Sequence, residues 1–214
     1  RAPAAAQAPG HAYVFPAGGR RRMGVSHSAE PDENEECPTI ASIRGSAYIC
    51  GRMKNAILIS GIPSCGKSTF GRWMESAHGY RHVDMENDGL GRYRLHKVWD
   101  DYHSGSDTVS FPRALSTFKV PVILDWGFPV EFLPVVDRMK SGGVNLWWFD
   151  GARSAARELF CQRKTVPVEN FDRQVASISA HWDKIAAVFA GRIIKILSPD
   201  GSRLSHEVIY DTIK

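Results

Sequence analysis

The sequence has few cysteines and no long apolar run, and both absences narrow the class of protein. Its four cysteines form no C-x-x-C pair and no dense framework, which disfavours a disulfide-stabilised secreted domain or a zinc module. No apolar run approaches the roughly 18 to 20 residues that a transmembrane helix requires, and no signal-peptide core precedes a small-residue cleavage site. We therefore expect a soluble, cytoplasmic protein with no membrane partner.

A large excess of charge is also absent. The 214 residues include 27 Lys and Arg and 23 Asp and Glu, a formal net charge of +4, and the basic residues are spread along the chain. This balance gives no strong case for a nucleic-acid-binding surface, and phosphate-bearing small molecules suit it equally well. With 43% hydrophobic residues, a chain of this length can bury one sizeable core.

The first quarter of the chain has no apolar periodicity. Residues 1–52 are rich in Ala, Pro and Gly, then basic, then acidic, and such a segment cannot bury enough surface to offset its ordering entropy. We predict a disordered tail over residues 1–52 and one nucleotide-binding domain over residues 53–214. A nucleic-acid contact by the cluster Arg20 to Arg22 stays open, although a solvated tail is the favoured interpretation.

From Met53 onward, short apolar runs alternate with helical patterns. Gly79 is the expected end of the first helix, and the longest apolar stripe, from Phe171 to Phe189, predicts one helix of about 20 residues. The alternation predicts parallel βαβ units in a three-layer α/β/α domain with a five-stranded parallel sheet. The predicted strands, read as covered on both faces, are 56–60, 80–84, 120–125, 144–149 and 192–197.

The junction between the first strand and the first helix carries a nucleotide-binding pattern. The stretch "GIPSCGKS" matches G-x-x-x-x-G-K-[ST]. Gly61 and Gly66 permit backbone angles at which successive N–H groups turn towards a phosphate. Lys67 suits the β and γ phosphates, the Ser68 hydroxyl suits Mg²⁺, and Thr69 suits the α phosphate. The alternative, a tight turn capping a core helix, is disfavoured by this context.

We call residues 61–69 the phosphate loop and predict that all of them bind a nucleoside triphosphate. The predicted binding residues are Gly61, Ile62, Pro63, Ser64, Cys65, Gly66, Lys67, Ser68 and Thr69.

Two aspartates at strand ends are candidates for the chemistry beside the phosphate loop. Asp125 ends "VPVILD", and an acid there can bind Mg²⁺ or a water on it, so Ser68 and Asp125 are the predicted metal ligands. Asp84 ends "YRHVD" and is expected to orient or deprotonate the hydroxyl of the acceptor, the molecule that receives the phosphoryl group. We also expect a helix near residues 88–102. The structural alternatives for these acids are turn capping by Asp125 and capping of that helix by Asp88 or Asn87.

A basic helix followed by the loop "KTVPVENF" predicts a mobile lid. Phosphoryl transfer leaves charge on the equatorial oxygens, which an arginine on a lid can stabilise while water is excluded. Arg163 is the first candidate and Arg157 the second. The alternative for either residue is a solvated helix face.

Missing motifs disfavour other phosphate-loop proteins. The Asn-Lys-x-Asp guanine clamp of a GTPase is absent from the sequence. The Ser-Gly-Gly triplet follows Asp125 instead of preceding it, unlike an ABC-type ATPase, and reads as a helix stop. Trp126 stands where a ring-forming mechanical ATPase usually has Glu.

The stretches "GIPSCGKST", "VILDWGF" and "RELFCQRKTVPVENFDRQ" resemble the small P-loop kinase superfamily, which includes gluconate kinase, shikimate kinase and zeta-toxin-like proteins. The resemblance implies a P-loop NTPase fold with strand order 2-3-1-4-5. It implies a substrate acid at Asp84, a lid arginine at Arg163 and a downstream glutamine at Gln174. It also implies adenine near the "SPDGS" loop, packed on Pro199. The segment "VDMENDGLGRYRLHK" departs from the gluconate kinase pattern, so the acceptor does not carry over.

The sequence thus predicts a phosphotransferase that uses ATP and Mg²⁺ and phosphorylates a hydroxyl-bearing small molecule. Two alternatives stay open. One is a nucleotide-binding regulatory module that transfers no phosphate, and the other is a kinase of RNA or DNA 5′ ends. The oligomeric state is not indicated.

Overall fold

The computed structural model describes residues 56–164 and 166–214, and the predicted tail over residues 1–52 lies outside them. The described part contains five strands: β1 (Ala56–Gly61), β2 (Arg81–Asp84), β3 (Val122–Asp125), β4 (Asn145–Gly151) and β5 (Ile193–Leu197). Its helices are α1 (Lys67–His78), α2 (Gly89–Arg92), α3 (His96–His103), α4 (Ser110–Leu115), α5 (Leu133–Ser141), α6 (Arg153–Arg163), α7 (Val168–Ala180), α8 (Trp182–Val188) and α9 (His206–Ile213).

The strands form one parallel sheet in the order β2-β3-β1-β4-β5, as predicted. All six residues of β1 and all four of β3 are buried, which is the reason for their continuous apolar runs. In the register, Asp84 is paired with Asp125, and Gly61 is paired with Phe149. The central β1 therefore ends between two strand ends, one on each side.

Helices cover both faces of the sheet. The chain moves from β1 to β2 in one direction and from β3 through β4 to β5 in the other, so right-handed crossovers put α1 on one face and α5 to α8 on the opposite face. Contacts agree with this arrangement. The rings of Trp73 in α1 and Tyr210 in α9 lie 6.1 Å apart, and α5 packs against α8. The domain is a three-layer α/β/α fold.

Two helix predictions need correction, and one is confirmed. The stripe from Phe171 to Phe189 faces the core as expected, but the chain forms α7 and α8 with a break at His181, where φ is −117°. The His181 Nδ1 atom lies 3.0 Å from the Ser177 carbonyl oxygen. The helix expected near residues 88–102 is likewise divided, into α2 and α3. As predicted, α1 ends at Gly79, which has a left-handed φ of 68°.

No helix within residues 56–164 and 166–214 is both long and apolar enough to cross a lipid bilayer.

Candidate functional site

The phosphate loop leaves the sheet in direct contact with β4. Ile62 N donates a hydrogen bond to Phe149 O over 3.1 Å. A Cβ atom on Gly61 would lie 2.1 Å from the same oxygen, and Gly61 has a φ of 146°. Only glycine fits this approach, so Gly61 fixes where the loop starts.

The interior of the phosphate loop is packed into the protein. Ile62 and Cys65 are fully buried, and Ser64 is 5% exposed. Burial raises the pKa of the Cys65 thiol, and the nearby Lys67 charge only partly offsets this rise. Cys65 is therefore a packing residue in its neutral form. Pro63 is also buried.

The end of the loop leads into α1 with its backbone donors uncapped. Gly66 is the N-cap residue with a φ of 98°, no side chain caps the helix, and the first turn has no acidic residue. The first N–H groups of a helix have no partner within it, so they are available to an anion. Ser68 is half-buried, Thr69 is exposed, and neither side chain makes a hydrogen bond to another described residue.

Lys67 lies over the loop from which it emerges. It is 9% exposed, and its Nζ donates to Gly61 O over 3.3 Å and to Ile62 O over 3.1 Å. Both acceptors are neutral carbonyl oxygens. The ammonium group is thus held at the phosphate loop with its charge not neutralised by an ion pair in the described part of the chain.

Asp125 is a buried acid with an unsatisfied oxygen. The residue is 2% exposed, and its Oδ2 atom accepts no hydrogen bond from the described residues. The Nε2 atom of the buried His82 lies 3.5 Å from Oδ2. Burying a carboxylate oxygen without a donor or a cation is costly, so this atom is suited to a ligand.

Asp84 has its carboxylate engaged in the turn after β2. Its Oδ1 accepts from the backbone N–H groups of Glu86 and Asn87, both over 3.1 Å, and its Oδ2 accepts from Asn87 Nδ2 over 2.7 Å. The side chain of Asp88, at the N-cap position of α2, makes no capping hydrogen bond. Asp84 therefore orders the turn that carries the next acid.

That next acid, Glu86, is a site residue that the sequence reasoning missed. Its Oε1 accepts from Gly127 N over 3.1 Å. Desolvation raises the pKa of Glu86, the charges of Asp125 and Asp84 add to the rise, and the Lys67 charge lowers it in part. The residue as a whole is exposed, so this desolvation is partial.

Gly127, two residues after Asp125, is held from two sides. Its N–H group donates to Glu86, and its carbonyl oxygen accepts from Gln174 Nε2 of α7 over 3.2 Å. A Cβ atom on Gly127 would lie 2.8 Å from Glu86 Oε1. The glutamine implied by the resemblance thus contacts the loop after β3.

The two lid candidates differ in their surroundings. Arg157 makes a bidentate ion pair with Asp172 of α7, with distances of 2.8 and 3.0 Å. This exposed pair raises the pKa of Arg157 and lowers that of Asp172. Arg163, the last residue of α6, is exposed and has no ion pair or hydrogen bond to the described residues. Of the two candidates, Arg163 is therefore the one whose side-chain donors have no partner among the described residues.

The segment after β5 lies against the phosphate loop. Pro199 is exposed in a turn that Ser198 N closes on Ser202 O over 2.9 Å. Just beyond it, Arg203 Nη2 donates to Ser64 O over 3.1 Å. The sequence reasoning missed Arg203, because the contact joins positions 139 residues apart and no local pattern signals it.

Comparisons with known proteins give low similarity. The sequence matches no protein-family model and no curated protein. A solved gluconokinase from Sinorhizobium meliloti 1021 is 15% identical with a TM-score of 0.46, and the match covers 76% of this chain and 91% of that chain. A shikimate kinase from Bacteroides thetaiotaomicron is 15% identical with a TM-score of 0.44, with 66% and 85% covered. Similarity at this level transfers no substrate.

Proposed function

We propose that this chain is a phosphotransferase that uses ATP and Mg²⁺ and acts on the hydroxyl group of a small molecule. One juxtaposition carries the proposal: the phosphate loop and the unpaired Oδ2 of Asp125 lie at the carboxyl-terminal edge of the same parallel sheet. In open parallel sheets, ligands bind at this edge. A loop that binds phosphates beside a buried acid is suited to phosphoryl transfer.

The phosphates are bound by the chain's own donors. The uncapped N–H groups at the start of α1 face anions favourably, because the helix dipole is positive there. Lys67 adds a full charge that bonds only to the carbonyl oxygens of Gly61 and Ile62 among the described residues. When phosphate oxygens replace these neutral acceptors, the Lys67 ammonium group would form charge-assisted hydrogen bonds.

The oxygen atoms beside the loop fit Mg²⁺. No group of three or more His, Cys, Asp or Glu in the described part of the chain is arranged to hold a metal ion. Mg²⁺, however, is usually bound by one or two carboxylates together with substrate phosphates. Asp125 Oδ2 and the Ser68 hydroxyl are the protein oxygens for this role, and the ion would neutralise charge on the phosphates.

We assign the acceptor proton to Glu86 and not to Asp84. All three hydrogen bonds to the Asp84 carboxylate come from its own turn, whereas Glu86 uses only Oε1, for Gly127. A raised pKa makes the Glu86 carboxylate a stronger base. In the proposed reaction the acceptor oxygen bonds to the γ phosphorus, the bond to the β–γ bridging oxygen breaks, and the proton passes to Glu86. Asp84 orients the turn.

The lid supplies the last charge. Arg163 at the end of α6 has free donors, and a guanidinium group placed over the transferred phosphoryl group would stabilise its equatorial oxygens. Arg157, which is paired with Asp172, serves α6 and α7 as a structural link. We keep Arg163 as the proposed lid residue.

A labelling experiment tests the proposal. The full chain is incubated with Mg²⁺, γ-labelled ATP and pools of nucleosides, sugars, hydroxylated antibiotics and RNA 5′ ends. We expect label in one small-molecule pool, and loss of labelling in Lys67→Ala, which should keep its circular dichroism spectrum. Wild-type rates in Lys67→Ala would refute the assignment of the loop.

The same experiment separates the two alternatives. A regulatory module would bind ATP, measured by thermal stabilisation, but would label no pool and produce no acceptor-stimulated ADP. A 5′-end kinase would label the RNA pool alone. Either result would replace the proposed small-molecule acceptor.

A further inference from the structure

One side chain joins the segment after β5 to the phosphate loop. Arg203 Nη2 donates to Ser64 O over 3.1 Å. A Cβ atom on Gly66 would lie 3.8 Å from Arg203 Nη1. The guanidinium group therefore runs along the loop from Ser64 to Gly66, on the stretch immediately before Lys67.

The loop needs an external partner at this point. Ser64 has a left-handed φ of 61°, a conformation that costs a residue with a Cβ atom about 1–2 kcal/mol. Its hydroxyl is buried and makes no hydrogen bond to the described residues. The Ser64 hydroxyl thus contributes no hydrogen bond that would stabilise this left-handed backbone conformation. The hydrogen bond from Arg203 to Ser64 O does stabilise it.

The bond to Ser64 O also sets the direction of the next amide. The carbonyl of Ser64 and the N–H of Cys65 belong to one planar, trans peptide group, in which the two point in opposite directions. Because Arg203 holds the oxygen, it directs the Cys65 N–H away from the guanidinium. A phosphate loop works by presenting such N–H groups in a fixed arrangement.

Arg203 is an exposed residue, but its backbone is anchored beside β5. Its backbone forms an antiparallel bridge with Leu197 of β5, and the preceding turn is closed by Asp200 Oδ1, which accepts from Ser202 N over 2.9 Å and from Ser202 Oγ over 2.7 Å. These hydrogen bonds lower the pKa of Asp200. The phosphate loop is thus connected to β5 through Arg203.

We infer that Arg203 is a positioning residue of the nucleotide site: it fixes the Ser64–Cys65 peptide so that the phosphate loop is shaped before the nucleotide binds. This inference rests on the proposed nucleotide site. A site ordered in advance spends less binding free energy on ordering itself. Removal of Arg203 should therefore weaken binding of phosphate-bearing nucleotides and leave the fold in place.

The test compares variants of the full chain by calorimetry with ATP and ADP, each with Mg²⁺. We expect Arg203→Met to weaken both about tenfold to a hundredfold, as for loss of a charged hydrogen bond, and Arg203→Lys to recover part of the loss. Arg192→Met is the matched control. Arg192 Nη1 donates to Asn145 Oδ1 over 3.1 Å at the opposite edge of the sheet, so this variant should bind like wild type.

A purely structural role predicts another result. Arg203→Met would then lower the unfolding temperature without nucleotide while the dissociation constant of the folded protein stayed unchanged, and that would overturn the inference. An equal loss in Arg192→Met would overturn it too. If Arg203→Met does not fold, Arg203→Lys becomes the deciding variant. Wild-type nucleotide affinity in Arg203→Lys would then contradict the inference.

Failure of the proposed function gives a distinct pattern. If the wild-type chain binds neither ATP nor ADP, both the proposed nucleotide site and the proposed role of Arg203 are refuted. If the wild-type chain binds both nucleotides and the Arg203 variants bind them with equal affinity, only the proposed role of Arg203 is refuted.

Discussion

His82 Nε2 lies 3.5 Å from Asp125 Oδ2, and the two side chains are only 7% and 3% exposed. His82 is thus a close polar neighbour of an acid whose Oδ2 accepts no hydrogen bond from the described residues. The imidazole is packed against α1, because Gly71 leaves room for it: a Cβ atom there would lie 2.4 Å from both Nε2 and Cδ2 of His82. Gly71, His82 and Asp125 therefore form one packed series that joins α1, β2 and β3.

The first prediction concerns Gly71. Gly71→Ala should lower the free energy of unfolding by about 1–3 kcal/mol through overpacking, although Ala is favoured over Gly in a helix by about 1 kcal/mol. Urea unfolding measures the change. Ser76→Ala, on an exposed position of the same helix, is the control and should change stability little. A more stable Gly71→Ala variant would mean that His82 is free to move.

The second prediction concerns Glu86. Because its folded-state pKa is raised from the usual 4.5, ionised Glu86 is disfavoured in the folded protein, and its contribution to stability falls as pH rises through the folded-state pKa. Glu86→Gln should therefore unfold at a slightly higher temperature than wild type at neutral pH, with the difference lost below the usual pKa. Turnover should fall about 10²- to 10⁴-fold, as for loss of a general base.

Exposed Glu158 on α6 provides the control for Glu86. Glu158→Gln removes the same charge away from the site and should change neither turnover nor the pH dependence of unfolding in this way. Wild-type turnover in Glu86→Gln would mean that Asp84, and not Glu86, takes the proton of the acceptor.

The third prediction distinguishes between the two candidate lid arginines. Arg163→Met should reduce kcat about 10²- to 10³-fold, because a donor to the transition state is lost, whereas Arg157→Met should reduce it much less, since that guanidinium is paired with Asp172. Single-turnover rates with the identified acceptor measure the effect on the chemical step. The reverse order would assign the lid charge to Arg157.

The fourth prediction concerns the bond from α7 to the loop after β3. Gln174→Leu removes the donor to Gly127 O and should lower the free energy of unfolding by about 1 kcal/mol, the usual net value of a hydrogen bond. Gln162→Leu, at an exposed position of α6, removes the same amide away from this loop. Equal shifts of the urea midpoint in both variants would mean that the Gln174 contact contributes nothing.

Strands and the phosphate loop are predictable from the sequence because their signals are local. A run such as "VPVILD" is apolar because both faces of β3 are buried, and Gly79 marks the end of α1 because it takes a left-handed φ. The break at His181 was not predictable in this way. The apolar stripe continues across it, so periodicity alone cannot distinguish one helix from two successive helices that cover the same core.

Contacts between distant segments account for the site residues that were missed. Glu86 acquires its role from Gly127, which reaches it only because β2 and β3 pair in register. Arg203 meets Ser64 only after β5 takes its place in the sheet. Each residue alone reads as one more surface charge, so the fold is needed to reveal either.

The position of β1 at the middle of the sheet has an evolutionary consequence. Asp84, Glu86 and Asp125 follow strands on one side of it, whereas Phe149 and Arg203, which contact the phosphate loop, belong to the other side. Recombination that replaced residues 88–119 would leave both sets intact, together with the turn from Asp84 to Asn87. Chimaeras with that segment exchanged should therefore alter which compound is modified while they retain uptake of the nucleotide.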